Sequence, residues 1–158
     1  MPTTILNSTI MIKNEEIVDD LNDLVKINND RIQGYEKAIE DTKDADLDEL
    51  FRHSIIQSQK FRSQLADHIV RIDGTAVSDA TTSDLSSKIH RAWIDIKSAV
   101  TGKDRSTVLS SVEYGESAAV EAYQDAIEKD HIPAYIKEDL QAQLSELKAT
   151  ADKMSALK

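Results

Sequence analysis

Four times along this chain of 158 residues apolar side chains recur at gaps of three and four, and nowhere do they alternate for long with period two. The first stripe is Ile17, Leu21, Leu24, Val25, Asn28, Ile32, Tyr35, Ala38 and Ile39, with Asp, Glu, Lys and Asn in the intervals. The second runs from Leu47 through Phe51, Ser58, Phe61 and Leu65 to Ile72, the third from Val108 through Val112, Glu116 and Tyr123 to Ile127, and the fourth from Ile136 through Leu140, Gln143 and Leu147 to Leu157. A helix of ~30 residues is ~45 Å long, a length suited to bundles. The spacing predicts long helices over 14–43, 46–73, 104–130 and 134–157. A shorter stripe, Leu85, Ile89, Trp93, Ile96 and Val100, predicts an additional crossover helix over 84–101. Gly74 reads as a stop signal and Pro133 as a first-turn residue. Residues 1–12 show no period and are expected to form a flexible tail ahead of a single domain at 13–158.

Composition narrows the task such a chain can perform. With four Gly and two Pro it is too poor in turn residues for a multi-stranded β fold, and 40% hydrophobic content is too high for a disordered acidic chain. The absence of Cys removes disulfides, thiolate metal sites and cysteine nucleophiles. A net charge of −10 opposes binding to nucleic acid and to anionic membrane. No apolar run approaches a membrane span, and the N-terminus lacks the basic and apolar regions of a signal peptide, so a cytoplasmic protein is expected.

Tyr35-Glu-Lys-Ala-Ile-Glu-Asp41 reappears as Tyr123-Gln-Asp-Ala-Ile-Glu-Lys129, and two helical turns before each Tyr stand Asn28 and Glu116. The echo suggests two helical hairpins related by duplication and joined by a long crossover, the plan of a ferritin-like bundle. The connection from the second long helix to the third is too long for a tight hairpin and should run the length of the bundle. Asp48-Glu-Leu-Phe51, His90-Arg-Ala-Trp-Ile-Asp-Ile-Lys-Ser-Ala-Val-Thr-Gly102 and Glu113-Tyr-Gly-Glu-Ser-Ala-Ala-Val-Glu-Ala-Tyr123 carry a resemblance. Through them the chain resembles an uncharacterised bacterial family of four-helix-bundle proteins in the ferritin-like superfamily, a domain of unknown function. The resemblance spans nearly everything from Lys13 onward. It implies an all-α, ferritin-like antiparallel four-helix bundle with a short crossover helix, and no particular activity.

A di-metal carboxylate site needs a Glu from each of two helices and Glu-x-x-His from each of the other two, all pointing inward. Glu116 supplies one of the six ligands, whereas Asn28 and Ser58 occupy stripe positions where ligands are wanted, Gln59-x-x-Arg62 replaces a Glu-x-x-His, and the last helix has no His. Glu128-Lys-Asp-His131 lies at a helix end and reads as a solvated terminus; Glu49 with His53, and His68 beside Asp67, read as surface groups. His90 has no evident catalytic partner, and no phosphate-binding or nucleophile-elbow motif is present. No catalytic residue, no metal and no cofactor is therefore expected. What remains is a polar layer inside the core, Asn28, Tyr35, Ser58, Glu116 and Tyr123, either a structural hydrogen-bond network or a vestigial site.

The first functional reading is a non-enzymatic bundle with a structural, stress-related or partner-binding role. The second is a metal-binding oxidoreductase or metal-storage protein with a non-standard site around Glu116. The partner expected is a second copy of the chain or an unidentified protein. No Lys or Arg is assigned inward at the level of Glu116, so desolvation is expected to raise its pKa and Glu116→Gln to be tolerated.

Overall fold

The computed structural model describes residues 2–42, 44–72, 74–78, 80, 93 and 105–158, with backbone only at 2–9 and 41. Among the described residues there is no strand, and four long helices are seen: α1 (Pro2–Thr42), α2 (Ala45–Arg71), α3 (Arg105–Ile127) and α4 (Ala134–Ala156). Helix α1 differs most from expectation, because it is helical from Pro2 where a flexible tail was expected over 1–12. The crossover helix expected over 84–101 lies outside the described residues except for Trp93, which is helical and buried.

Helix α2 starts where the sequence supplies an acceptor. The Asp44 carboxylate takes the Asp46 and Leu47 amides at 3.1 and 3.2 Å, and this amide bonding, aided by Arg105, holds its pKa below the ordinary value. Asp46 and Asp48 occupy the first turn and His68 and Arg71 the last, both complementing the helix dipole. Helix α4 starts after Pro133, whose extended backbone (φ −61°, ψ 153°) suits that place.

Helix α1 lies mainly against α2 and α3 mainly against α4, with α1–α3 and α2–α4 contacts joining the two hairpins. The pairings fix the directions. As α1 advances through Asp20, Asn28 and Tyr35, its partners recede through Lys129, Tyr123 and Glu116. As α2 advances through Gln57, Gln64 and His68, its partners recede through Thr150, Gln143 and Asp139. Both inter-hairpin pairs are therefore antiparallel. Helix α2 thus ends at one end of the structure and α3 begins at the other. The described points between them climb along α1: Thr75 and Val77 bind Asn22, Ser78 and Ala80 bind Asn29, Trp93 abuts Gly34, and Arg105 pairs with Asp44.

The core joins Leu21, Leu24, Val25 and Ala38 of α1 with Phe51, Phe61 and Leu65 of α2, Val112 and Ala119 of α3, and Leu140 and Leu147 of α4. Trp93 closes it beside Tyr35, ring centroids 5.8 Å apart. Two glycines serve close approach. A Cβ on Gly74 would lie 2.6 Å from Val18 Cγ2, so this residue, read from sequence as a helix stop, lets the chain pass α1 closely. A Cβ on Gly34 would lie 2.6 Å from Trp93 Cε3. Ala gains about 1 kcal/mol over Gly in a helix, but overpacking a buried ring costs about 1–3 kcal/mol. We expect Gly34→Ala to lower stability by up to about 2 kcal/mol in urea melts.

Candidate functional site

Midway along α1 the core stripe turns polar. Asn28, Asn29, Asp30 and Arg31 are consecutive and all buried, which a helix permits only when other elements cover several of its faces. Asn29 is held by the α2–α3 connection and by Arg62, whose Nη1 donates to Asn29 Oδ1 at 2.8 Å. Asn28 and Arg31 face α3.

Arg31 meets Glu116 side-on. Its Nε donates to Glu116 Oε1 at 2.7 Å and its Nη2 to Oε2 at 3.0 Å, with both side chains fully buried. Nη1 donates to Ser58 Oγ, and Nη2 also reaches Gln57 Oε1 at 3.1 Å. The Tyr35 hydroxyl donates to Glu116 Oε1 at 2.8 Å, and the guanidinium carbon lies 5.5 Å from the centroid of the Tyr35 ring. Burial is the largest single influence and works against the charged guanidinium, yet the charge and hydrogen bond of Glu116, with Tyr35 and Tyr123, together outweigh it and hold Arg31 above its ordinary pKa. A second cluster lies nearer the α3–α4 turn. Asn28 Nδ2 donates to the Tyr123 hydroxyl at 2.9 Å, that hydroxyl donates to Gln143 Oε1 at 2.7 Å, and Gln143 Nε2 donates to Gln64 Oε1 at 3.0 Å. Asn28 Oδ1 has no partner among the described residues.

Asn28, Tyr35, Ser58, Glu116 and Tyr123 are all buried, in two adjoining clusters. Arg31 and Gln57 were missed. Gaps of three and four connect Asn28 to Tyr35 through Arg31 as well as through Ile32, and the apolar choice hid the cation. An inward Glu116 without a countercharge was the signal that could have found it. With Arg31 in place, the premise behind the expected tolerance of Glu116→Gln is gone.

Other expectations are also corrected. His68 is buried rather than superficial, with Nε2 2.5 Å from Asp139 Oδ2. His131 lies beyond the end of α3 and is bound to Asp20, with Glu16 3.7 Å away, so it is no free terminus. Gln59 is exposed and Arg62 binds Asn29, so Gln57 and Ser58, not Gln59 and Arg62, face the centre. Glu49 and His53 line a shallow surface groove with Asp46, Leu50 and Lys153. His90 lies outside the described residues. Among the described residues no group of three or more His, Cys, Asp or Glu could hold a metal ion. The donors around Glu116 are N–H and O–H groups, and the guanidinium between them would repel a second cation; this donor set does not fit a metal pair.

This helical chain with a polar centre matches, over residues 16–129, the family described as a domain of unknown function (DUF2383). The chain belongs to that family; the first turns of α1 and all of α4 lie outside the matched residues. Comparison with curated proteins and with solved structures gives no match.

Two predictions follow from the geometry. Glu116→Gln leaves the Arg31 charge buried without its counterion, so it should destabilise by about 3–5 kcal/mol. Arg31→Met should cost a similar amount, while Arg31→Met with Glu116→Leu recovers much of the loss, a coupling of about 2 kcal/mol or more in denaturant melts. The second concerns alkali. Burial, reinforced by the Glu116 charge, pushes the Tyr35 phenol well up, and burial pushes Tyr123 up as well. Below about pH 10 both are neutral in either state and the fold keeps its full stability; above it the unfolded chain ionises and the folded one does not. Stability should therefore fall as pH rises past about 10, less steeply in Tyr123→Phe.

Proposed function

We propose that this protein is a non-enzymatic ferritin-like four-helix bundle, a single domain over 13–158, with a structural or partner-binding role. The observation that carries the reading is the Arg31–Glu116 pair. Ferritin-like metal proteins place cations at the centre of the bundle and surround them with carboxylates. Here a covalently attached cation satisfies the carboxylate, and Ser58, Gln57 and Tyr35 complete its shell. The polar layer is then a register-setting network at a vestigial site rather than a reaction centre. The ferritin-like topology is supported by the antiparallel inter-hairpin registers and by the connection that climbs along α1.

The competing reading, a metal-dependent oxidoreductase or metal store around Glu116, requires Arg31 to swing out of a fully buried position. Metal analysis of protein produced in iron- and manganese-supplemented medium separates the two. We expect less than one equivalent of either metal and no change on Glu116→Ala. Stoichiometric metal that disappears in Glu116→Ala, in a variant still helical by circular dichroism, would overturn the proposal.

A further inference from the structure

Helix α1 is longer than its bundle. Its 41 residues span about 60 Å against about 40 Å for the 27 residues of α2. The bundle's end is marked on α1 by Gly74 against Val18, His131 near Glu16, and Lys129 on Asp20. The turns before Glu16 project beyond it. Their exposed face continues the core stripe: Ile10, Met11 and Asn14 stand one heptad before Ile17, Val18 and Leu21. Ile17 and Leu21 are buried, whereas Ile10, Met11 and Ile12 are 47%, 63% and 58% exposed. A lone projecting helix of about 14 residues is marginal in water without something packed on its apolar face.

We propose that this projection pairs antiparallel with the same segment of a second copy of the chain, about a two-fold axis near Met11. Charge distribution favours that occupant. Residues 2–12 carry no charged side chain, and the first turn of α1 has no acidic residue to offset the positive end of its dipole. At the base of the projection lies a notch of about 300 Å³ lined by Met11, Asn14, Glu15, Val18, Asp19 and Ile72, together with Gly74. An antiparallel partner crossing at Met11 brings its own first turn level with residues 17–20 of this chain. The positive end of each helix then meets the acidic rim, Glu15 and Asp19, of the other, and the apolar residues 10–12 of both copies meet at the axis. The arrangement is isologous and closes at two copies. The same acidic rim opposes an anionic membrane as the alternative occupant. The inference rests on α1 alone and does not depend on how the polar centre is read.

Sedimentation of the full chain at micromolar concentration should show a dimer. Met11→Glu should raise the dissociation constant at least tenfold while helicity and the unfolding transition of the bundle persist. Glu15→Lys combined with Asp19→Lys should raise it about tenfold by placing positive charge against the dipole's positive end. Because the chain has no Cys, Met11→Cys should form a disulfide-linked dimer under mild oxidation, and Ile56→Cys, exposed on α2, should not. A monomeric wild type, a dimer indifferent to Met11→Glu, or equal cross-linking at both positions would overturn the proposal. So would a monomer that binds neutral phosphatidylcholine vesicles through this segment.

Discussion

A fully buried guanidinium bound side-on to a fully buried carboxylate governs how the two hairpins meet. Either charge alone in this core would be expensive, so neither α1 nor α3 can slide or rotate relative to the other without exposing its partner to that cost. Apolar packing is tolerant by comparison, since leucines exchange neighbours across a helix interface with small losses. The contacts within each hairpin are extensive, whereas the α1–α3 and α2–α4 contacts are fewer and rich in hydrogen bonds. Directional bonds thus lie where apolar contact alone would leave register least defined. The pair's net contribution to stability is small or even unfavourable compared with an apolar pair of similar volume; its contribution is to the choice of arrangement.

The sequence echo at an offset of 88 residues shows how such a pair sits between two similar stretches of chain. Tyr35 binds Glu116, and Tyr123 binds Asn28, so each tyrosine contacts the residue that precedes the other tyrosine by two turns. That reciprocal exchange is what an approximate two-fold relation between antiparallel α1 and α3 produces. Within the polar layer the correspondence breaks at Asn28 and at Arg31. Asn28 corresponds to Glu116, and Arg31 corresponds to Ala119, which is fully buried. One half carries the anion, the other the cation, and the small Ala119 stands at the position equivalent to the bulky Arg31. The polar layer is consequently neutral as a unit and lopsided in detail.

How much of this was legible depended on which physical signal each residue carries. Four helices followed from spacing, because a stripe such as Leu21, Leu24, Ile32, Tyr35 has no other regular use. Glu116 was recognisable as inward because it interrupts an apolar stripe. Arg31 was not, because it adjoins an isoleucine and a long charged side chain is ordinarily assigned to solvent. His68 and His131 were misread for a related reason: their partners Asp139 and Asp20 are far away in sequence, and only the hairpin-on-hairpin register brings them together. The helical start at Pro2 was invisible since Pro-Thr-Thr-Ile-Leu-Asn-Ser-Thr shows no period against which to assign a face.

The two ends of the structure are treated differently, and the difference has a physical basis. At the end where α2 and α3 finish, acidic residues are drawn into cross-hairpin contacts: Asp20 of α1 binds both Lys129 and His131, and Asp139 of α4 binds His68. Asp23, half-buried beside them, has its carboxyl pushed up chiefly by desolvation, with Lys26 opposing. These contacts tie the α3–α4 turn to α1 and the last turns of α2 to α4, sealing the interface that the Arg31–Glu116 pair sets at the centre. They also fix where the bundle stops along α1. Before Lys13 no ion pair of this kind can form, because residues 2–12 carry no charged side chain. The same boundary therefore separates a stretch of α1 held by directional cross-hairpin contacts from one that presents Ile10, Met11 and Ile12 to solvent.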